Sequence, residues 1–270
     1  MLLLSESEKG LQSCLNSLQN YCTQWKLKVN LNKTKVVIFS KGKKDTSKFS
    51  FNFNGSNIEI VEKYKYLGII LYFNGNLKHA ADHLYSQSLK ALFSISSKIL
   101  NSKDLNVKLK IKLFDALIRP ICTYGSEIWI SDFNIKDSNI DMLPFEKIQN
   151  KFCKYVLNVN RKSSNLAVKC ELGRKPIINF ITYLALKYFN RLKQLPCDRF
   201  LHEVFEADKA LFNEGHRSWF KFIDCSLKKY KLHEDEINTN TLLESLNDCY
   251  VKDTNKKLKD LSGKVEDNIQ

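Results

Sequence analysis

The sequence predicts an α+β fold that is predominantly helical. Up to about residue 72, one helical pattern is followed by short stretches in which apolar and polar residues alternate, as is typical of strands. From about residue 76 onward, apolar residues recur every three or four positions, which is typical of helices that bury one face. A chain of 270 residues, 43% of them hydrophobic, is long enough to bury the core that such a fold needs.

The first predicted helix has apolar residues at spacings of four, three, four and three, which places them on one face. These residues are Leu11, Leu15, Leu18, Cys22 and Trp25. Ser5 or Ser7, with Glu8 nearby, supplies the signal for the start of this helix. A second layer must cover the apolar face.

Strands are predicted next. Residues 35–39 are rich in β-branched side chains, and three phenylalanines at alternate positions precede the turn Asn54-Gly55 and two isoleucines. This pattern predicts a hairpin. The stretch from Tyr64 to Tyr72 is predicted as one further strand, so the first part of the chain combines a helix with a small antiparallel sheet.

The following helices are predicted from apolar stripes. The first stripe consists of Ala80, Leu84, Ala91, Ile95 and Ile99. Residues 105–113 alternate as a strand would, but the stripe Val107, Ile111, Phe114 and Ile118 favours a helix that Pro120 stops.

Four more helices are predicted at residues 141–157, 177–195, 200–212 and 219–230. Gly or Pro marks most of the breaks between them, at Gly173 to Pro176, Pro196 and Gly215. After Leu232 the chain becomes polar and rich in Lys and Asp, and this tail is expected to add little to a core.

The charge of the chain favours a polyanionic partner. The formal net charge is +14 and the pI is about 9.3, and eight lysines lie between residues 26 and 48 with one acidic residue among them. A second basic tract extends from Lys147 to Lys193. An AT-rich coding sequence, which favours Lys and Asn, is the alternative explanation, but the clustering favours RNA, DNA or an RNA–DNA hybrid as partner.

The eight cysteines are scattered without any C-x-x-C pair, so we expect free thiols in a reducing compartment. No stretch approaches eighteen apolar residues, and Met1 to Leu4 is too short for a signal-peptide core. These observations predict an intracellular protein, in the cytoplasm, the nucleus or both, without a membrane partner.

Several motifs occur in order along the chain, beginning with Asn30-x-x-Lys33-Thr34 and Tyr66-Leu67-Gly68, and together they resemble the reverse transcriptase of non-LTR (LINE-like) retrotransposons. Asn30-x-x-Lys33-Thr34 is similar to a motif at the end of the polymerase palm, and Tyr66-Leu67-Gly68 is similar to the primer grip. Later motifs resemble the thumb helix, its exit and the region after the thumb, and the likeness covers roughly residues 2–195. They are L-F-D-A-L-I-R-P from Leu113, Y-G-S-E-I-W from Tyr124, E-K-I-Q-N-K-F from Glu146 and E-L-G-R-K-P from Glu171.

The resemblance implies three parts: the C-terminal part of the palm in residues 1–75, a thumb-like helical domain in 76–160, and a helical C-terminal region with a polar tail in 161–270. In that family, Mg²⁺ is held by an upstream aspartate and by a Tyr-x-Asp-Asp hairpin that precedes a strand similar to Leu2 to Ser7. Met1 stands where that hairpin is expected. We therefore expect this chain alone to lack the catalytic aspartates, to hold no metal and to be inactive, with the upstream polymerase portion as a missing partner.

The resemblance also implies roles for individual residues. Lys33 is expected to act as an accessory proton donor to the leaving pyrophosphate in an intact enzyme, with a turn lysine as the alternative. Tyr64, Tyr66, Leu67 and Gly68 are expected to grip nucleic acid, with a glycine bulge in a buried strand as the alternative.

Lysines supply the other candidate nucleic-acid contacts. Lys35 is expected to face phosphate or solvent. Lys147, Lys151 and Lys154 share a helical face beside Tyr155 and are expected to follow a duplex, with a solvated face as the alternative. The three tryptophans are predicted to be core residues rather than stacking platforms: Trp25, Trp129 and Trp219.

Together these observations predict a fragment of an RNA-directed DNA polymerase that retains nucleic-acid-contacting surface. A stand-alone basic helical RNA- or DNA-binding protein derived from the element is one alternative. A helical protein-interaction module whose charge is incidental is the other.

Overall fold

The computed structural model describes residues 1–42, 45–96, 102, 105–234 and 237–267, with side chains as far as residue 255. Lys43 and Lys44 of the first basic tract, and Ile99 of the first apolar stripe, lie outside these residues. The chain divides into two compact units, an N-terminal unit, Met1–Ala80, and a C-terminal unit, Ala81–Gln270. Helices dominate and the strands form small antiparallel pairs, so the predicted fold class is confirmed. The three-part division at residues 75 and 160 stays a prediction.

The N-terminal unit is built on helix α1, Glu8–Gln24. Ser7 begins it as predicted, because its extended backbone lets Oγ accept a hydrogen bond from Gly10 N at 3.1 Å. The apolar face of α1 buries Leu15 and Cys22 in a cluster with Val36 and three residues of the following hairpin region. That hairpin region contributes Phe51, Phe53 and Ile58.

The prediction that Trp25 shares this buried face is wrong. Its side chain is 62% exposed. Helix α1 ends at Gln24, and Lys26 takes a positive φ of 52°, so the chain turns away before Trp25 reaches the layer that covers Leu15 and Cys22.

The first predicted hairpin is confirmed as a short one. Strand β1, Asn52–Phe53, pairs antiparallel with β2, Ser56–Asn57. Asn54 and Gly55 connect them with φ of 49° and 74°, the positive values that a type I′ turn requires.

The prediction of a strand at residues 35–39 is wrong. Only Val36 pairs, in a single parallel bridge to Ile60 in which Val36 N donates to Glu59 O and Val61 N donates to Val36 O. β-branched residues favour extended backbone, but a ladder also needs a partner that runs alongside for several residues.

The prediction of one continuous strand from Tyr64 to Tyr72 is also wrong. Strand β3, Lys63–Tyr66, pairs antiparallel with β4, Ile69–Tyr72. Leu67 and Gly68 form the turn between them, with φ of 45° and 88°. Gly68 therefore serves a tight turn and not a bulge inside a buried strand.

The C-terminal unit contains most of helix α2, Lys78–Ile95, and then α3, Val107–Leu113. The choice of helix for the alternating segment is confirmed, and the Asn106 side chain caps it by accepting from Leu109 N at 2.8 Å. Pro120 does not stop the helical path, contrary to prediction. A π-helical turn, Phe114–Ile118, leads without a break into α4, Arg119–Cys122, and accommodates Pro120 within the helical path.

Helix α8, Ile177–Lys193, lies at the centre of the C-terminal unit and buries residues on most of its circumference. It packs against α5, Ser126–Trp129, and α6, Pro144–Val156. Helix α7, Asn165–Glu171, packs on α6. The largest side chains that are under 2% exposed belong to this core: Phe114, Ile118, Trp129, Ile130, Phe145, Ile148, Phe152, Ile181, Leu186, Phe189 and Ile223.

Two further helices follow the predicted pattern, α9, Phe200–Asn213, and α10, Phe220–Tyr230, and both pack on α8. Trp129 is buried as predicted, and Trp219 is half-buried with its Nε1 donating to Glu127 O at 2.7 Å.

The expectation that the tail adds little to a core is wrong. Helix α11, Leu242–Asp267, packs against α8 and buries Leu242 and Leu246. Asn179 Nδ2 of α8 donates to Asn247 Oδ1 at 3.1 Å. In the described part of the chain, no helix combines the length and apolar character needed to cross a membrane.

Candidate nucleic-acid interface

In the N-terminal unit, the motif Asn30-x-x-Lys33-Thr34 forms a capped 3₁₀ turn, Leu31–Lys33. Asn30 Oδ1 accepts from Lys33 N at 3.3 Å, and Thr34 Oγ1 donates to Asn30 O at 2.9 Å. The asparagine and threonine therefore fix the backbone. The Lys33 side chain is exposed.

The turn and the β3–β4 hairpin are joined by one hydrogen bond. The Tyr64 hydroxyl donates to Lys33 O at 2.6 Å, so the structure brings the palm-like motif and the grip-like motif together. Tyr64 thereby links the hairpin to the turn. Leu67 is 73% exposed at the tip of the hairpin. The Lys35 side chain is directed toward Glu59, because its Nζ lies 2.5 Å from Glu59 Oε2 in an ion pair.

The hairpin also carries two exposed lysines that sequence reasoning missed. Lys63 and Lys65 alternate along β3 with the partly buried Tyr64 and Tyr66. Alternation with a period of two places the ammonium groups on one face and the rings on the other. The same alternation in the sequence K-Y-K-Y was the signal that would have identified them.

In the C-terminal unit, α6 carries the lysine face that the helical spacing predicted. Lys147 and Lys151 are exposed. Lys151 Nζ lies 5.8 Å from the ring centroid of Phe93 in α2, and this ring is 62% exposed, so an accessible aromatic surface adjoins the lysines. Lys154 is partly buried, and its Nζ donates to Arg161 O at 2.8 Å, which ties it to the loop after α6.

The opposite face of α6 is buried and carries polar side chains among its apolar ones. Glu146 is fully buried, and its Oε1 accepts from Ile178 N at 2.9 Å in the first turn of α8. A carboxylate there complements the positive end of the α8 dipole. Gln149 Nε2 donates to Lys175 O at 2.8 Å, so two α6 side chains hold the segment that leads into α8.

Arg174 connects this face of α6 to the π-helical turn. Its two terminal nitrogens donate to the two Asp115 carboxylate oxygens, each at 2.8 Å, and it also donates to Gln149 Oε1 at 2.9 Å. Asp115, Gln149 and Arg174 belong to three of the motifs quoted above. Those motifs therefore meet in one polar network that sets the position of α6 and of its lysine face.

Lys169 completes the network from α7. Its side chain is 4% exposed, and its Nζ lies 2.8 Å from Asp141 Oδ1 and 3.9 Å from Glu146 Oε2. Burial raises the pKa of Glu146 to about 7, against the opposing effects of Lys169 and of the Ile178 N–H. Burial also acts to lower the pKa of Lys169, but Glu146 and Asp141 outweigh it and raise that pKa.

The carboxylates of the described residues do not fit a pair of divalent cations. No group of three His, Cys, Asp or Glu side chains gathers in this part of the chain. Asp115 and Asp141 already bind Arg174 and Lys169, whose positive charges compete with a cation for the same oxygens.

Comparisons with known proteins give two distant relatives. A transposon-derived protein of Caenorhabditis elegans is 29% identical over 131 residues, which are 48% of this chain and 46% of that protein. The RNA-directed DNA polymerase from the mobile element jockey of Drosophila funebris is 22% identical over 191 residues, 71% of this chain and 20% of the polymerase.

The chain spans less than half the length of each of these curated relatives. No family model and no solved structure matches it. The two similarities support an origin from a LINE-like element, as the resemblance implied, while the assignment to a particular region of the polymerase stays a prediction.

Proposed function

We propose that this chain is the nucleic-acid-holding part of a LINE-like RNA-directed DNA polymerase, the part that follows the metal-binding carboxylates. The observation that carries the proposal is the exposed basic face of α6, where Lys147 and Lys151 lie one turn apart and Lys151 Nζ lies 5.8 Å from the Phe93 ring centroid. Lysines held along a rigid helix gain affinity by releasing counterions from phosphates, and an exposed ring adds a surface for stacking.

The buried network supports the proposal because it makes this face rigid. Glu146 and Gln149 fix the opposite side of the same helix, so Lys147 and Lys151 are presented in a set geometry. A preformed surface binds a stiff duplex without the entropic cost of ordering a loop.

In this proposal, catalysis is assigned to carboxylates that the described residues do not supply. The carboxylates described here do not fit the Mg²⁺ pair, so the parent enzyme would hold those ions elsewhere. Lys33 would assist as a proton donor only in the intact polymerase, and Tyr66 and Leu67 would contact the primer strand from the β3–β4 hairpin.

Charge reversal on the lysine face tests the proposal. In fluorescence-anisotropy titrations with an RNA–DNA hybrid at low salt, the variant Lys147→Glu with Lys151→Glu is expected to raise Kd by about tenfold or more. The slope of log Kd against log salt is expected to fall by about 2, since each lost phosphate contact removes about 1.

The matched control reverses two exposed lysines elsewhere in the C-terminal unit, Lys221→Glu with Lys252→Glu. Its net charge equals that of the test variant, and its Kd is expected to stay within about threefold of the wild type. Equal losses in the two variants would mean that only net charge matters, and would contradict the proposed site.

The alternative hypothesis, a stand-alone binding protein derived from the element, predicts the same results in these titrations. Primer extension separates the two readings: adding a polymerase portion that carries the Tyr-x-Asp-Asp hairpin is expected to give extension that this chain increases. An interaction module instead predicts binding to the hybrid that is absent or insensitive to salt.

A further inference from the structure

Helix α9 presents an apolar strip to solvent, on the side away from the core. Its buried side carries Phe205, which lies against the rings of Phe189 and Phe220. Four exposed residues form the other side and are called the α9 seam: Phe200, Val204, Ala207 and Leu211.

The residues of the α9 seam are spaced four, three and four apart. At 3.6 residues per turn this spacing keeps them in one narrow stripe, which is the a/d pattern of helices that pair through knobs-into-holes packing. Phe200 is 70% exposed, Val204 45% and Leu211 42%. A continuous apolar stripe of this kind marks an interaction surface.

Charge argues against nucleic acid as the occupant. The charged residues exposed on α9 are Glu203 and Glu206. Asp208 is turned toward α10, where it accepts from Trp219 N at 3.0 Å and from Phe220 N at 2.8 Å. In a chain with a net charge of +14, the charges that α9 itself exposes are thus acidic and repel phosphates, while Arg199 is exposed just before the helix.

We propose that the α9 seam is covered by the same seam of a second copy of this chain, with the two helices antiparallel. The spacing of four, three and four is the same in both directions along the helix. A two-fold axis requires this kind of self-complementarity. Such pairing sets Phe200 opposite Leu211 and Val204 opposite Ala207. It also sets Glu203 near Ala210 of the second copy, whereas parallel pairing would bring Glu203 near a carboxylate.

The size of the seam sets the strength of the dimer. Its exposed apolar side chains offer on the order of 400 Å² per copy, given the area of a phenylalanine side chain. Two copies then bury less than about 1,200 Å² in total, which is typical of weak complexes. The dimer is therefore in equilibrium with monomer, and this inference does not depend on the proposed polymerase origin.

Sedimentation equilibrium on the full chain tests the proposal, after nuclease treatment, at high salt and with a reducing agent because several cysteines are exposed. The weight-average mass of the wild type is expected to rise from 31.4 kDa toward twice that value with concentration. Val204→Glu places a charge in the seam and is expected to raise the dimer Kd by about tenfold or more.

Val107→Glu is the matched control, because Val107 is 43% exposed and lies on α3. It is expected to dimerise as the wild type does. The proposal is overturned by a wild type that stays monomeric up to about 500 µM, by a Val204→Glu variant that dimerises normally, or by equal loss in both variants.

Discussion

Arg174→Ala is expected to lower the free energy of unfolding of the C-terminal unit by about 3 kcal/mol. The substitution removes both bonds to Asp115 and the bonds to Gln149. Asp115, which is 27% exposed, loses its bidentate partner and keeps a longer contact with Arg119 at 3.4 Å. Urea denaturation followed by tryptophan fluorescence measures the change. A Trp25→Phe background confines the signal to Trp129 and Trp219, which both lie in this unit.

Lys228→Ala is the control for loss of an ion pair. Lys228 pairs with Asp224 at 2.7 Å, but its side chain is 75% exposed, so we expect a change much smaller than that of Arg174→Ala. If Arg174→Ala and Lys228→Ala destabilise equally, the network of Arg174 does not hold the unit together.

Glu146→Gln is expected to make the C-terminal unit more stable at pH 8, by about 3 kcal/mol relative to the wild type, and to have little effect at pH 4. The folded-state pKa of Glu146 is raised from 4.5 to about 7, so the folded state binds a proton more tightly than the unfolded state. The stability that this group contributes is fully present below pH 4.5 and is lost as pH rises toward 7. Glutamine keeps an acceptor for Ile178 N and carries no charge.

The difference in unfolding free energy between Glu146→Gln and the wild type, measured at several pH values, isolates this group from all others. Glu206→Gln removes an exposed carboxylate and is the control for loss of one negative charge. A Glu146→Gln difference that is flat from pH 4 to pH 8 would show that burial does not disfavour the ionised form of Glu146.

Periodicity predicted the elements whose signals are local. The stripes on α8, α9 and α10 and the Ser7 cap of α1 can be read from neighbours three or four positions apart. The hairpin at Leu67 could not, since leucine rarely takes a positive φ and the run from Tyr64 to Tyr72 has the composition of one strand. The prediction that Pro120 stops the helix is wrong because the π-helical turn that accommodates this residue leaves no sequence signature.

In the candidate site too, local spacing predicts some features, while others depend on residues that are distant in the sequence. Helical spacing predicted that Lys147 and Lys151 share an exposed face, but it did not show that Lys154 is tied to Arg161 O. Glu146 lies beside Lys147 and looks like a surface residue in sequence. Its burial follows from partners such as Ile178, 32 positions away, and Arg174 reaches Asp115 across 59 positions. Pairings at such separations are set by packing and not by local pattern.

The salt dependence of binding to an RNA–DNA hybrid by the wild-type chain tests the central claim most directly. If the chain holds a duplex through its lysine faces, log Kd rises linearly with log salt with a slope of about 3 or more, and a scrambled single strand of equal length binds less tightly. A slope near zero, or no binding at low salt, would contradict the account.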